Sequence, residues 1–180
     1  MSNVKKITAP INKAAIEDLR AGDEVLITGT IYTARDIAHK RLCESISRNE
    51  PLPFDIEDAV IYFVGPSPAP QGRAIGSAGP TTSSRMDPFS PILLEHGLAA
   101  MIGKGLRGQK VIDSLKKNKG VHFSAIGGAG ALLSKAIKAS EIVAYEDLGT
   151  EAIRKLTVVD FPVVVAYDSY GNTVYNASLQ

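Results

Sequence analysis

The chain has 180 residues and 19.1 kDa, with 44% hydrophobic and 22% charged residues, which supports one globular core and excludes a disordered or collagen-like chain. Its 20 basic and 19 acidic side chains leave a formal net charge of +1, against a duplex-nucleic-acid binder driven by bulk charge. The one cysteine, Cys43, excludes an internal disulfide and cannot alone hold zinc or an iron–sulfur cluster.

The first residues, MSNVKKITAP, lack the apolar centre of a signal peptide, and no apolar run reaches the roughly 20 residues of a membrane span. A soluble cytoplasmic protein with no membrane partner is expected. Ile11 to Leu19 reads as a short amphipathic helix, and Gly22-Asp23 turns into a buried-type strand, EVLITGTIY. Thr33 to Ile46 reads as a helix, with Thr33 as N-cap, Asp36 three residues on as in a capping box, and Ala34, Ile37, Ala38, Leu42 and Ile46 on one apolar stripe. AVIYFVG (59–65) is a second strand.

Gly65 to Gly79, GPSPAPQGRAIGSAG, holds too many Pro and Gly residues for a helix or central strand and reads as a long surface loop. Asp87-Pro88 looks like an N-cap followed by a first-turn proline, opening a helix to His96 that Gly97 closes. Residues 99–105 form a strand, 108–117 a helix, 121–128 a strand and 129–138 a helix opened by a glycine turn. Two further strands, 141–147 and 161–172, make the C-terminal half β-rich. The alternation predicts an α/β fold with a mixed sheet and flanking helices, as a single domain spanning 1–180.

Three segments carry polar residues that a packed domain does not need. In TARDIAHKR (33–41), Arg35 and His39 are four residues apart and share a helix face; a solvated pair is the plain alternative. In GPTTSSRMD (79–87), a Gly-Pro turn precedes the hydroxyls of Thr81, Thr82, Ser83 and Ser84, then Arg85. Such a run suits an anion, since Arg grips a carboxylate through two parallel hydrogen bonds. In GKG (103–105), Lys104 lies between glycines that let the backbone approach a ligand. GGAG (127–130) lacks dinucleotide-fingerprint spacing and GKG lacks the rest of a phosphate loop, so nucleotide binding is discounted. Convergence of Arg35, Arg85 and Lys104 would suit a small dicarboxylate.

These motifs, GTIYTARDIAHKR (29–41), GPTTSSRMD (79–87), GKG (103–105) and AIGGAGALL (125–133), also carry a resemblance. From about Gly22 to Asn172 the chain resembles the β subunit of class I, iron–sulfur-dependent fumarate hydratase. The same module forms the C-terminal domain of single-chain class I fumarases and the β subunit of L-tartrate dehydratase. The resemblance implies a swivelling β/β/α domain and reversible addition of water to fumarate, giving (S)-malate. It implies a [4Fe–4S] cluster held by three cysteines of a partner α subunit, hence a hetero-oligomer, with no metal ligand on this chain and Cys43 a packed thiol. Position by position, Arg35, Arg85 and Lys104 match the substrate-carboxylate ligands and Thr81 the proposed base. Thr82, Ser83 and Ser84 match the substrate-lining stretch, and Asp36 and His39 fall at motif positions near the catalytic centre. L-tartrate dehydratase is the rival within the family. A non-catalytic subunit closing the partner's site, or a stand-alone dicarboxylate-binding module, are the rivals outside it.

Overall fold

A computed structural model of the chain describes residues 3–125 and 133–175. Strand β2 (Glu24–Thr33) is the hub. Val25, Ile27 and Ile31 alternate into the core, and their β-branched side chains fit the pleat. Along one edge, β2 first pairs in parallel with β1 (Lys5–Ala9), Lys5 opposite Val25 through Ala9 opposite Gly29. The same edge then passes to β3 (Val60–Tyr62) at Tyr32 and Thr33. Gly29 stands at the handover with φ +130°, and a Cβ there would strike the Ala9 carbonyl.

From β3 the sheet continues in parallel through β4 (Ala100–Gly103) and β5 (Val121–Ala125). The last strand, β7 (Ile153–Tyr167), runs antiparallel to both β5 and β2 and closes the ladder β2–β3–β4–β5–β7 on itself as a small barrel. Strand β6 (Ile137–Ala144) pairs with the first half of β7 outside this ring. The fold is α/β with a mixed sheet, as the pattern implied.

Opposite faces of β3 mark two cores. Val60 and Tyr62 join Ile27, Ile31, Phe123 and Phe161 in one, with Ile16 of α1 (Lys13–Glu17) at its edge. Ile61 and Phe63 join the other, under α2 (Asp36–Ser47), α3 (Ser90–Glu95) and α4 (Gln109–Asn118), which contribute Leu42, Leu93 and Leu115.

Several expectations are corrected. Thr33 ends β2 instead of capping α2; its Oγ1 donates to the Ala152 carbonyl and accepts from Arg154 N–H, and Arg35 occupies the cap position. Ile37 faces outward, because the buried face of α2 is centred on Ala38, His39 and Leu42 and Ile37 lies on the far side of it. Asp87 does not cap α3: a 3-10 turn (Ser83–Met86) precedes it, α3 begins at Ser90, and Pro91 takes the first-turn place. The helix expected over 129–138 is contradicted at its end, where Ile137 and Lys138 open β6. Residues 126–132, with GGAG, lie outside the described residues.

Strand β7 begins eight residues before the expected Phe161. Its inward positions change from Leu156 and Val158 to Phe161 and Val163, because β7 carries one more residue than β2 between the Gly29–Val158 and Ile27–Phe161 pairs. Asp160 is at φ 51° in this bulge, its N–H bonded to Thr28 Oγ1, and Pro162 follows where a missing ladder donor is tolerated. The 65–79 loop is not wholly superficial: Ile75 and Ala78 are buried against the barrel, and Tyr62 Oη donates to the Ala78 carbonyl. No helix among the described residues is long and apolar enough to cross a membrane.

Candidate active site

The parallel strands β2, β3 and β4 end side by side, and the chain leaving each end carries the polar motifs. Ala34 N–H donates to the Tyr62 carbonyl at 3.1 Å, and Phe63 N–H to Ile102 at 2.8 Å. The returning hydroxyl segment lies against the same ends. Thr81 N–H donates to the Phe63 carbonyl at 2.7 Å, Ser83 N–H to the Lys104 carbonyl at 2.8 Å, and Thr82 pairs with Lys104 as an isolated parallel bridge. Stretches 49 and 19 residues from Arg85, at Asp36 and Lys104, thus reach one rim at the carboxyl ends of the strands. The carboxyl ends of parallel strands are the usual ligand positions of α/β folds, whether the sheet is open or closed into a barrel.

Arg35 leaves β2 half-buried, its stem against the backbone of Gly65, and its Nε lies 3.4 Å from Glu151 Oε1 without making a hydrogen bond. Arg85 is more exposed and directs both Nε and Nη2 to Asp36 Oδ2, each at 3.0 Å. Asp36 Oδ1 is buried and has no hydrogen-bond partner among the described residues. Lys104 is exposed and has no ion pair among the described residues. Thr81 is half-buried, and Thr82 and Ser84 are exposed beside it. The rim therefore presents three cations, two balanced by Glu151 and Asp36, next to a run of hydroxyls.

Two expected residues lie beneath it. His39 is fully buried between Phe63 and Phe89; its Nδ1–H donates to the Arg35 carbonyl at 2.8 Å, and Nε2 has no hydrogen-bond partner among the described residues. Burial, reinforced by the Arg107 charge, lowers its pKa to about 4, so it is a neutral helix-start anchor and not the solvent-facing partner of Arg35 that the spacing suggested. Ser83 is corrected as well. It is fully buried, and its Oγ faces inward to His122 Nε2 at 3.0 Å instead of lining the open rim. A Cβ on Gly103 would collide with that Oγ, so glycine there permits the close approach.

Sequence reasoning missed Asp87, Arg107, His122 and Glu151. Arg107 is 4% exposed, yet its Nε donates to Asp87 Oδ1 at 2.7 Å, its Nη2 to Ser90 Oγ at 2.5 Å, and its Nη1 to His122 Nδ1 at 3.2 Å. Burial lowers the Arg107 pKa while Asp87 supports its charge. The available signals were small: an arginine two residues after Gly105, and a histidine inside the otherwise apolar start of VHFSA.

The described residues contain no group of three or more His, Cys, Asp or Glu side chains able to hold a metal. Cys43 is half-buried, its Sγ 3.9 Å from the Phe89 carbonyl, and burial raises its pKa to about 11. Those residues do not fit an iron–sulfur cluster, whose ligands are thiolates.

A family model described as Fumarase C-terminus matches residues 2–178. The chain is 38% identical over 174 residues to Fumarate hydratase 2 of Leishmania major, covering 94% of this chain and 31% of that protein. It is 44% identical over 151 residues to the anaerobic class I fumarate hydratase of Escherichia coli K12, covering 83% and 28%. It is also 36% identical over 171 residues to a putative L(+)-tartrate dehydratase subunit beta of Methanocaldococcus jannaschii, covering 92% and 88%. The chain thus spans about a third or less of the two fumarate hydratases and most of the subunit-sized relative.

Proposed function

The chain belongs to the Fumarase C-terminus family, and from that membership we propose that it is the β subunit of a hydro-lyase that reversibly hydrates fumarate to (S)-malate. The observation that supports this reading is that the segments bearing Arg35, Arg85 and Lys104 come to one end of the sheet, beside the hydroxyls of Thr81, Thr82 and Ser84. A four-carbon dianion needs cationic donors at both ends and an uncharged polar surface between them. The rim's composition meets that need.

Arg35, Arg85 and Lys104 bind and orient the two carboxylates. Removing a proton from the carbon beside a carboxylate moves negative charge onto that carboxylate, so fixed cations stabilise the transition state more than the bound substrate. Thr81 is the proposed base at that carbon, and its alkoxide form depends on nearby positive charge; Lys104 is a cation with no ion pair among the described residues. Asp36 aligns Arg85. A partner α subunit carries the [4Fe–4S] cluster, and Cys43 is not among its ligands; the match to most of a relative named as a beta subunit supports such a hetero-oligomer.

Anaerobic co-purification with a cluster-bearing α chain, followed by a fumarate-hydration assay, tests the reading. Activity is expected from the pair and not from this chain alone; an inactive, cluster-loaded pair overturns it. The same relative's name supports a second reading, L-tartrate dehydration, and turnover of L-tartrate in preference to malate would select it.

A further inference from the structure

Beneath the rim lies a chain of polar groups, buried except at Asp87, that binds nothing directly in the proposed reaction. It runs from Asp87 through Arg107 to His122 and ends on Ser83. Its hydrogen-bond polarity follows from one fact. A guanidinium has donors only, so His122 Nδ1, which faces Arg107 Nη1 at 3.2 Å, must be the acceptor nitrogen. The ring proton therefore sits on Nε2 and is donated to Ser83 Oγ at 3.0 Å. Full burial and the adjacent Arg107 charge push the His122 pKa well below its ordinary value, so the ring stays neutral. Phe63 and Tyr167 flank the ring and hold its plane.

Ser83 is the link from this chain to the rim. Its N–H holds the Lys104 carbonyl, its two neighbours are the exposed Thr82 and Ser84, and Arg85 lies two residues on. We propose that His122 is the positioning residue of this site: Arg107 fixes its tautomer, and its Nε2–H holds Ser83 so that Thr81, Arg85 and Lys104 keep one relative geometry. His122 touches no substrate and acts only through Ser83. The inference rests on the hydro-lyase reading for its catalytic consequence, while its structural content is independent of it.

The test has two arms. In the full-length chain labelled with nitrogen-15, long-range proton–nitrogen spectra should show His122 with an unprotonated Nδ1 and a protonated Nε2, unchanged between about pH 5.5 and 8. The Nδ1–H tautomer overturns the proposal. His122→Phe keeps the ring packing without hydrogen bonds and should shift the backbone signals of Thr81–Arg85 and Lys104. His122→Gln, with an amide donor for Ser83 and an oxygen for Arg107, should leave them nearly in place. Unmoved signals in the phenylalanine variant overturn the proposal whether or not the protein is a hydro-lyase.

In the complex with its α partner, His122→Phe and Ser83→Ala should each lower kcat/KM for fumarate by about tenfold to 100-fold, the scale of small misplacements in a site. The double variant should lose no more than the worse single one, and His122→Gln should stay within about threefold of the parent. Additive losses, or a glutamine variant as impaired as the phenylalanine one, overturn the proposal. If His122→Phe does not fold, Ser83→Ala in both arms decides. An inactive parent complex counts against the hydro-lyase reading alone, and the spectra then decide the positioning role.

Discussion

Arg85 and Asp36 meet through a single oxygen: Nε and Nη2 of the guanidinium each lie 3.0 Å from Oδ2, while Oδ1 is buried with no hydrogen-bond partner among the described residues. The contact ties the hydroxyl segment to the start of α2 and fixes the direction of the Arg85 guanidinium. Nη1 takes no part in it, and in the proposed reaction it is the donor to a substrate carboxylate.

Replacing Arg85 by lysine should therefore lower kcat/KM for fumarate by about 100-fold in the assembled enzyme, since an ammonium supplies one point of charge in place of a planar fork. Asp36→Asn should mainly raise KM, by about tenfold, by loosening Arg85. Both side chains of the pair are a third or more exposed, so stability should change by no more than about 1 kcal/mol. Steady-state kinetics with denaturant unfolding checks both, and unaltered rates for Arg85→Lys would remove Arg85 from the site.

His39 should shape the acid limb of the stability curve. Its folded pKa of about 4 lies below the ordinary value of 6.5, so between these pH values the unfolded chain binds more protons than the native one. Stability must then fall on acidification through that window, by up to about 1.4 kcal/mol per pH unit for this ring. His122 adds to the slope in the same direction. His39→Leu removes one ring's share, and the Arg35 carbonyl still receives the His39 backbone N–H. Unfolding free energies from pH 7 to 4 should show a flatter limb in the variant; parallel curves would contradict a neutral buried His39.

At Gly103, alanine should cost about 1–3 kcal/mol, the usual range for overpacking, because its Cβ collides with Ser83 Oγ and lies 2.8 Å from Phe63 Cδ2. The displaced segment is the one bearing Thr81 and Arg85, so turnover should drop along with the melting temperature. An unchanged melting temperature or full activity would contradict the collision.

Cys43 should resist alkylation in the native chain. With a thiol pKa of about 11, roughly one part in a thousand is thiolate at pH 8, and Sγ is partly covered as well. Iodoacetamide should modify it at least about 100-fold faster in denaturant than in buffer. Equal rates would mean an accessible thiol.

Much of the fold was legible because it depends on patterns that sequence shows directly. The alternation in EVLITGTIY and the apolar run VIY mark β2 and β3, and the motif residues fall just past strand ends, where loops carry chemistry. The errors arose where tertiary contacts overrule local signals. Thr33 looks like a cap but bonds to Ala152 and Arg154 across the barrel, 119 and 121 residues away. Asp87 looks like a cap but is engaged by Arg107 and by Gly108 N–H. Ser83 is indistinguishable by type from its exposed neighbours, and only the pairing of β4 with β5 brings His122 beneath it. No one-dimensional spacing encodes such a contact.

Strand β7 acts as a clasp. It is bonded to β2 along one edge and to β6 and then β5 along the other, so the ring has no free seam from which to peel open, and releasing it breaks the enclosure at once. Amide protons of Val163 and Val165 should then exchange with solvent only at the rate of whole-molecule unfolding, and shortening the chain from its C-terminal side into this strand should abolish the fold instead of trimming it.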